Sequence, residues 1–168
     1  MTVIGRFTHL VASLSDRNRR RQKKLSERLV KAATFGDSTR INALLRAGAC
    51  PETSDAEGTT PLYAASVIGA TDNVLCLLAA GALPNTESGR GAEGTPLCAA
   101  ACWGYTEAVR ALLSHGADPN LREDHGAGRS PLEWARTGTY PETVAVLLAA
   151  GARPHNHATS PRSQRQAS

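Results

Sequence analysis

The stretch TTPLYAASVIGATDNVLCLLAAGALPN (59–85) contains the signals that start and stop two short helices. Thr60 is a predicted N-cap, because its hydroxyl can accept a backbone N–H that the helix leaves unpaired. Pro61 suits the first helical position, where no N–H is needed. Gly69 and Gly81 predict the two helix ends, since glycine readily adopts the left-handed backbone of a C-cap. The stretch therefore predicts a helix–turn–helix unit.

The same unit recurs along the chain. A [Thr/Ser]-Pro-Leu segment occurs three times, with the prolines 35 residues apart, and the distance to the following Gly-Ala is constant. The variation in repeat length must therefore lie in the connections. One such helix pair buries too little apolar surface to fold alone, but stacked copies share a core. A Leu-Leu-x-x-Gly-Ala segment occurs four times, ending at Ala49, Ala82, Ala117 and Ala152.

These copies resemble ankyrin repeats, whose period is 33 residues. The resemblance implies an all-α solenoid of helix-turn-helix pairs joined by hairpin-like finger loops, with a possible extra N-terminal helix. It covers about residues 26–154, with repeats at about 26–57, 58–91, 92–126 and 127–154. It rests on 59–85, on GTPLCAAACWGYTEAVRALLSHGADPN (94–120), on SPLEWARTGTYPETVAVLLAAGARP (130–154) and on the degenerate RLVKAATFGDSTRINALLRAGACP (28–51).

The chain departs from the family pattern in three ways. The first copy lacks Thr-Pro-Leu, which suits a capping repeat with a polar outer face. The family's histidine after Pro-Leu is replaced by Tyr63, Cys98 and Glu133. The resemblance then implies that the His–Thr hydrogen bonds that normally tie neighbouring repeats are weaker or absent. Thr139 occupies a glycine position, so we expect a looser turn between the last two helices.

Charge is distributed unevenly along the chain. The net charge is +6 over residues 1–24, −5 over 25–151 and +3 over 152–168. The acidic middle argues against general nucleic-acid binding by the repeats. The tail, 155–168, has almost no apolar content and is predicted to be disordered.

The N-terminal segment, 1–25, is predicted to be an amphipathic helix followed by a basic run. Three interpretations of this segment remain open. The helix docks on the first repeat, which is the interpretation we favour, or it binds an anionic membrane, or the basic residues 17–24 bind nucleic acid or act as a localisation signal. The apolar residues that share its face are Ile4, Phe7, Val11 and Leu14.

The segment GRGAEG (89–94) matches the G-x-G-x-x-G pattern of dinucleotide-binding proteins. Such a site needs an apolar strand before the first glycine, and ALPNTES precedes it here. We therefore interpret the glycines as part of a finger loop. The histidines at 155 and 157, and the pair Cys98 and Cys102, are too few to predict a zinc site.

No cofactor, metal or catalytic residue is predicted. Four cysteines without a C-x-x-C pair, in a chain without a clear export signal, indicate reduced thiols and a cytoplasmic protein. Because the repeats occupy most of the chain, we expect a monomeric, non-catalytic protein.

The candidate binding residues follow from the repeat register. Phe35, Ile68 and Trp103 precede the first-helix glycine, a position that lies on the concave side in ankyrin arrays. They form a partner-binding row, or alternatively each packs against its own finger. The predicted function is protein binding; enzyme inhibition or regulation, and tethering through the N-terminal segment, are alternatives. The full predicted set is Phe35, Ile68, Trp103, Tyr63, Glu57, Arg90, Glu93, Arg122, His125 and Arg129.

Overall fold

The computed structural model describes the backbone of residues 3–154 and the side chains of residues 18–154. Within these residues the chain forms eight α-helices and two single 3-10 turns, at Gly89–Gly91 and Asp124–Gly126. The predicted disorder of 155–168 and the predicted apolar side chains before residue 18 lie outside the described residues. The helices are α1 (Val3–Phe35), α2 (Ser38–Arg46), α3 (Pro61–Val67), α4 (Thr71–Ala79), α5 (Pro96–Cys102), α6 (Thr106–Ser114), α7 (Pro131–Thr137) and α8 (Pro141–Ala149).

The helices stack in two layers. The inner layer contains α1, α3, α5 and α7, each in contact with the next, and the outer layer contains α2, α4, α6 and α8. Each inner helix also contacts the outer helix of its own repeat. This arrangement confirms the all-α repeat solenoid. The finger loops, residues 50–60, 83–95 and 118–130, connect each outer helix to the next inner helix.

The predicted helix starts are confirmed. The Thr60 hydroxyl accepts the backbone N–H of Tyr63 at 3.3 Å, and Pro61 is the first residue of α3. Thr95 caps α5 in the same way. Ser130 completes a capping box with Glu133, whose carboxylate accepts the Ser130 backbone N–H at 2.7 Å. Reciprocal bonds of this kind satisfy two donors that the helix cannot satisfy itself.

The Leu-Leu-x-x-Gly-Ala segment has a specific backbone role. In the second repeat Gly81 adopts φ +91°, and the Ala82 N–H donates to the Leu77 carbonyl at 3.0 Å. This six-to-one bond closes the helix as in a Schellman motif. The same bond, at 2.9–3.0 Å, closes the outer helix of the other three repeats. The first leucine of each segment is buried in the shared core, namely Leu44, Leu77, Leu112 and Leu147.

The expectation of a looser turn at Thr139 is wrong. Thr139 adopts φ +58°, close to the +67° of Gly69 and the +69° of Gly104 at the equivalent positions. The Tyr140 N–H donates to the Ala135 carbonyl at 3.0 Å, as Tyr105 does to Ala100. The turn therefore keeps its geometry, although a β-branched residue is unfavourable in this region of backbone space.

A different hydrogen bond between repeats takes the place of the histidine bond at Tyr63. Its hydroxyl donates to the Glu93 carbonyl of the next repeat at 2.7 Å. Cys98 makes a longer contact of the same kind, 3.6 Å from its sulfur to the Arg129 carbonyl. A long phenol replaces the missing histidine because it reaches a main-chain acceptor on the adjacent finger.

Helix α1 runs without a break through the predicted domain boundary at residue 25. The N-terminal segment is therefore continuous with the first helix of the first repeat and is not a separate helix. Its sequence there lacks proline and glycine, so no local signal stops the helix. Arg21 and Gln22 donate side-chain bonds to the Ala47 and Gly48 carbonyls at 3.0 and 3.1 Å, and Leu25 is buried.

Candidate functional site

Three large apolar side chains form a row across the inner layer, which we call the inner row. Phe35 ends α1, and Ile68 and Trp103 are the C-caps of α3 and α5. Their exposed fractions are 88%, 40% and 57%. The exposure of Phe35 contradicts packing against its own finger, whereas Ile68 and Trp103 are partly covered. The equivalent residue of the fourth repeat is Gly138, so the row ends at the third repeat.

A groove lies between the finger loops and the last inner helix. An open cavity of about 370 Å³ is lined by Glu93, Glu123, Arg129 and Trp134. A neighbouring cavity of about 550 Å³ shares Arg129 and extends to Arg122, Glu133, Arg136 and Thr137. The groove thus combines one aromatic ring with side chains of both charge signs.

Trp134 is held rigidly in this groove. Its indole N–H donates to a carboxylate oxygen of Glu123 at 2.7 Å. The guanidinium carbon of Arg129 lies 4.6 Å from the ring centre, within the range of a cation–π contact. Arg122 pairs with Glu133 at 3.1 Å. Side chains fixed in this way lose little conformational freedom when a ligand binds.

Burial raises the pKa of several groups in the groove and in the core beside it. It raises the pKa of Tyr63 to about 12, and the negative charges of Glu93 and Glu123 add to the effect. Burial also raises the pKa of Glu123 and of the thiols of Cys98 and Cys102. A raised thiol pKa disfavours the thiolate, the reactive form of cysteine, so neither sulfur is activated as a nucleophile.

Glu133 shows the opposite behaviour. Its partial desolvation disfavours the charged form, but hydrogen bonds from Ser130 and the positive charge of Arg122 outweigh this effect. The pKa of Glu133 therefore lies below its ordinary value. This carboxylate is negatively charged at neutral pH and stabilises the start of α7.

The predicted finger residue Glu93 already makes hydrogen bonds inside the molecule. The Glu93 carboxylate accepts hydrogen bonds from the hydroxyls of Thr59 and Ser88, at 2.9 and 2.8 Å. Ser88 in turn accepts the Thr60 N–H at 2.9 Å. These bonds join the first finger to the second, so Glu93 has a structural role whether or not a ligand contacts it.

The remaining predicted finger residues are more accessible. His125 adopts φ +52°, and its ring nitrogen lies 3.0 Å from the Glu87 carboxylate of the preceding finger. Arg90 adopts φ +57° and donates to the Ala56 carbonyl at 3.4 Å. The side chain of Glu57 is exposed. The GRGAEG segment forms a 3-10 turn in the second finger with no strand before it among the described residues, as expected for a loop.

The family model described as ankyrin repeats (3 copies) matches residues 29–124 and 88–158. The chain belongs to the ankyrin-repeat family. No curated protein matches its sequence significantly. Ankyrin repeats are generally protein–protein interaction modules and typically non-catalytic.

The structure of the array also shows residues that the sequence reasoning missed. Asn85 accepts the Asp118 N–H at 2.8 Å and donates to the Gly116 carbonyl at 3.1 Å. Asn120 makes the equivalent bonds to Arg153 and Gly151. These asparagines tie neighbouring repeats together. The Pro-Asn pair at the same position of two repeats, 35 residues apart, is the signal that could have identified them.

Trp134 and Glu87 were missed for a different reason. Each belongs to a contact between elements whose spacing the repeat pattern does not specify.

In the described residues no helix is long and apolar enough to cross a membrane. No group of three or more histidine, cysteine or acidic side chains in that part of the chain is arranged to hold a metal ion.

Proposed function

We propose that this ankyrin array binds a partner protein through the inner row and the adjoining groove. The observation that carries the proposal is the exposure of three large apolar side chains at one repeat position. Exposing a large apolar side chain to water is unfavourable, and a contiguous set of them is typical of an interaction surface. Aromatic residues such as Phe35 and Trp103 are also enriched in the cores of protein interfaces.

The groove supplies the polar part of this surface. Arg129, stacked on Trp134, and Arg136 offer positive charge beside the apolar row, and Glu93 and Glu123 offer acceptors. A typical partner surface buries about 800 Å² on each side, and several adjacent repeats supply that area. We propose that the finger residues Glu57, Arg90, Arg122 and His125 form its rim.

The experiment is capture of partners by the immobilised full chain from an extract of its source cells. The variants Phe35→Ala, Ile68→Ala and Trp103→Ala each remove one member of the inner row. Loss of a buried aromatic anchor costs about 2 kcal/mol or more of binding free energy, which is about a thirty-fold loss of affinity. We expect the Trp103 and Phe35 variants to lose most of the captured partner.

Matched controls come from the outer helices. Leu75 and Leu148 are also exposed, at 41% and 42%, but lie on α4 and α8. Their exposed fractions match the 40% of Ile68, so their replacement by alanine is the closest control for Ile68→Ala, and we expect capture to persist. If the inner-row and outer-helix variants capture the partner equally, the inner row is not the binding surface.

Regulation of an enzyme is a narrower form of the same proposal. A partner that covers the inner row with its own active site would lose activity on binding. Assay of the captured partner, with and without excess array, tests this form directly. Unchanged partner activity at saturating array concentration leaves simple binding as the function.

A further inference from the structure

The described basic residues are concentrated at one end of the solenoid. Residues 18–50 contain nine lysines and arginines and two acidic residues, whereas residues 51–154 contain six and twelve. Residues 18–50 therefore carry a net positive charge, whereas residues 51–154 carry a net negative charge. A surface of one charge sign attracts ligands of the opposite sign and raises their association rates.

Four cations share one face of α1, and we call this face the basic stripe. Arg20, Lys24, Arg28 and Lys31 lie within an arc of about 80° on a helix of 3.6 residues per turn. All four are exposed. At 1.5 Å per residue the stripe extends over about 16 Å. Arg20 and Lys24 belong to the basic run 17–24, whereas Arg28 and Lys31 follow it along the helix.

The basic stripe adjoins a cleft that α1 forms with the end of α2. This cleft, of about 510 Å³, is lined by Arg20, Arg21, Lys24, Leu25, Arg28 and Ala47. Arg21 holds the two helices together through the Ala47 carbonyl at 3.0 Å. The cations are thus presented by a rigid part of the repeat domain.

The cations of the basic stripe are not neutralised within the described residues. Every ion pair found there involves side chains beyond residue 86, so none includes the stripe. Glu27 lies at the edge of the stripe and is the one acidic residue of α1 between residues 18 and 35. The stripe therefore keeps a net positive charge.

We propose that the basic stripe binds the phosphate backbone of a nucleic acid. Each strand of a duplex carries about one negative charge per 3.4 Å of its axis, so a stripe of about 16 Å spans about five phosphates of one strand. An extended polyanion can therefore engage all four cations at once, which a single phosphate group cannot do.

The opposite face of α1 favours nucleic acid over a membrane. A helix that lies on a membrane inserts apolar side chains beside its cations. Here Leu25, Leu29, Ala32 and Ala33 are buried in the repeat core. Phe35, the last residue of α1, is the one exposed large apolar side chain on the described part of this helix. A single side chain does not form the continuous apolar face that a membrane-bound helix inserts. Contact through charge alone is the mode of sequence-independent phosphate binding.

Titration of the full chain against a short fluorescein-labelled DNA duplex of mixed sequence, read by fluorescence anisotropy, tests the proposal. Four phosphate contacts predict that log K falls with log salt concentration at a slope of about −3.6. The triple variant Arg20→Gln, Lys24→Gln, Arg28→Gln should reduce that slope to about −1. It should also weaken binding at low salt more than ten-fold.

The matched control is Arg110→Gln, Arg136→Gln, Arg153→Gln, which changes the net charge equally but lies outside the basic stripe. We expect this control to bind DNA within about two-fold of the unchanged chain, since its cations contact no phosphate. Circular dichroism establishes that both variants are folded. Equal weakening by the two variants overturns the proposal, because net charge alone then explains binding.

Vesicles of phosphatidylserine and phosphatidylcholine provide the competing ligand. Binding to these vesicles without binding to DNA overturns the proposal in favour of a membrane contact. The absence of binding to both also overturns it. None of these outcomes depends on the inner row, so a failure here leaves the proposed protein-binding function intact, and the reverse also holds.

Discussion

The hydroxyl of Tyr63 is expected to stabilise the junction between the second and third repeats. It donates to the Glu93 carbonyl at 2.7 Å from a half-buried position. A hydrogen bond of this kind contributes about 0.5–1.5 kcal/mol net. Tyr63→Phe removes the hydroxyl and keeps the ring, so we expect a loss of about 1 kcal/mol in the free energy of unfolding at neutral pH, measured by urea denaturation.

The same bond predicts a dependence on pH. The folded-state pKa of Tyr63, about 12, exceeds the ordinary value of 10.0. The hydroxyl therefore contributes its full stability below pH 10, and this contribution is lost as the pH rises towards 12. The stability difference between the unchanged chain and the Tyr63→Phe variant should shrink over that interval.

Tyr105→Phe is the matched control for this prediction. The Tyr105 ring packs over Gly69, but among the described residues its hydroxyl has no hydrogen-bond partner. We expect this variant to change stability by less than about 0.5 kcal/mol. Equal effects of the two substitutions, or a Tyr63 effect that stays constant up to pH 12, would refute the role assigned to this bond.

Two further predictions concern single positions. Gly69→Ala should destabilise the chain by about 2 kcal/mol, because a left-handed backbone is costly for alanine and its Cβ would lie 2.5 Å from the Tyr105 ring. Thr139→Gly should stabilise the chain by about 0.5 kcal/mol, since glycine relieves that cost but gains entropy on unfolding. Thermal denaturation measures whether each variant is more or less stable than the unchanged chain. A change of the same sign for both variants would contradict this reasoning. Glu133→Gln should destabilise the chain at neutral pH, and the difference should vanish below the lowered pKa of Glu133. An acid titration of stability in which this difference persists would exclude the role of its charge.

The helix boundaries could be predicted because their causes are local. The Tyr63 N–H donates to the hydroxyl of Thr60, three residues earlier. The Ala82 N–H donates to the carbonyl of Leu77, five residues earlier. Such bonds depend only on short segments, so the residue types and their spacing are sufficient. The inner row could be placed for the same reason, since its position is counted from the turn glycine.

The contacts between fingers could not be predicted in this way. The bond between Thr59 and Glu93 joins residues 34 apart, and that between His125 and Glu87 joins residues 38 apart. Each depends on how two stacked loops face each other. Arg90 and His125 adopt a left-handed backbone at the loop tips, and neither residue is a glycine that would have indicated it.

The sequence by itself therefore determined the number of repeats, their register and the ends of their helices. The tertiary structure decided which charged and apolar side chains remain available to a ligand. It engages Glu93 between two fingers, exposes Phe35 and leaves the basic stripe unpaired within the described residues. The physical reason is that helix caps form between neighbours in the chain, whereas exposure and ion pairing depend on how distant segments stack.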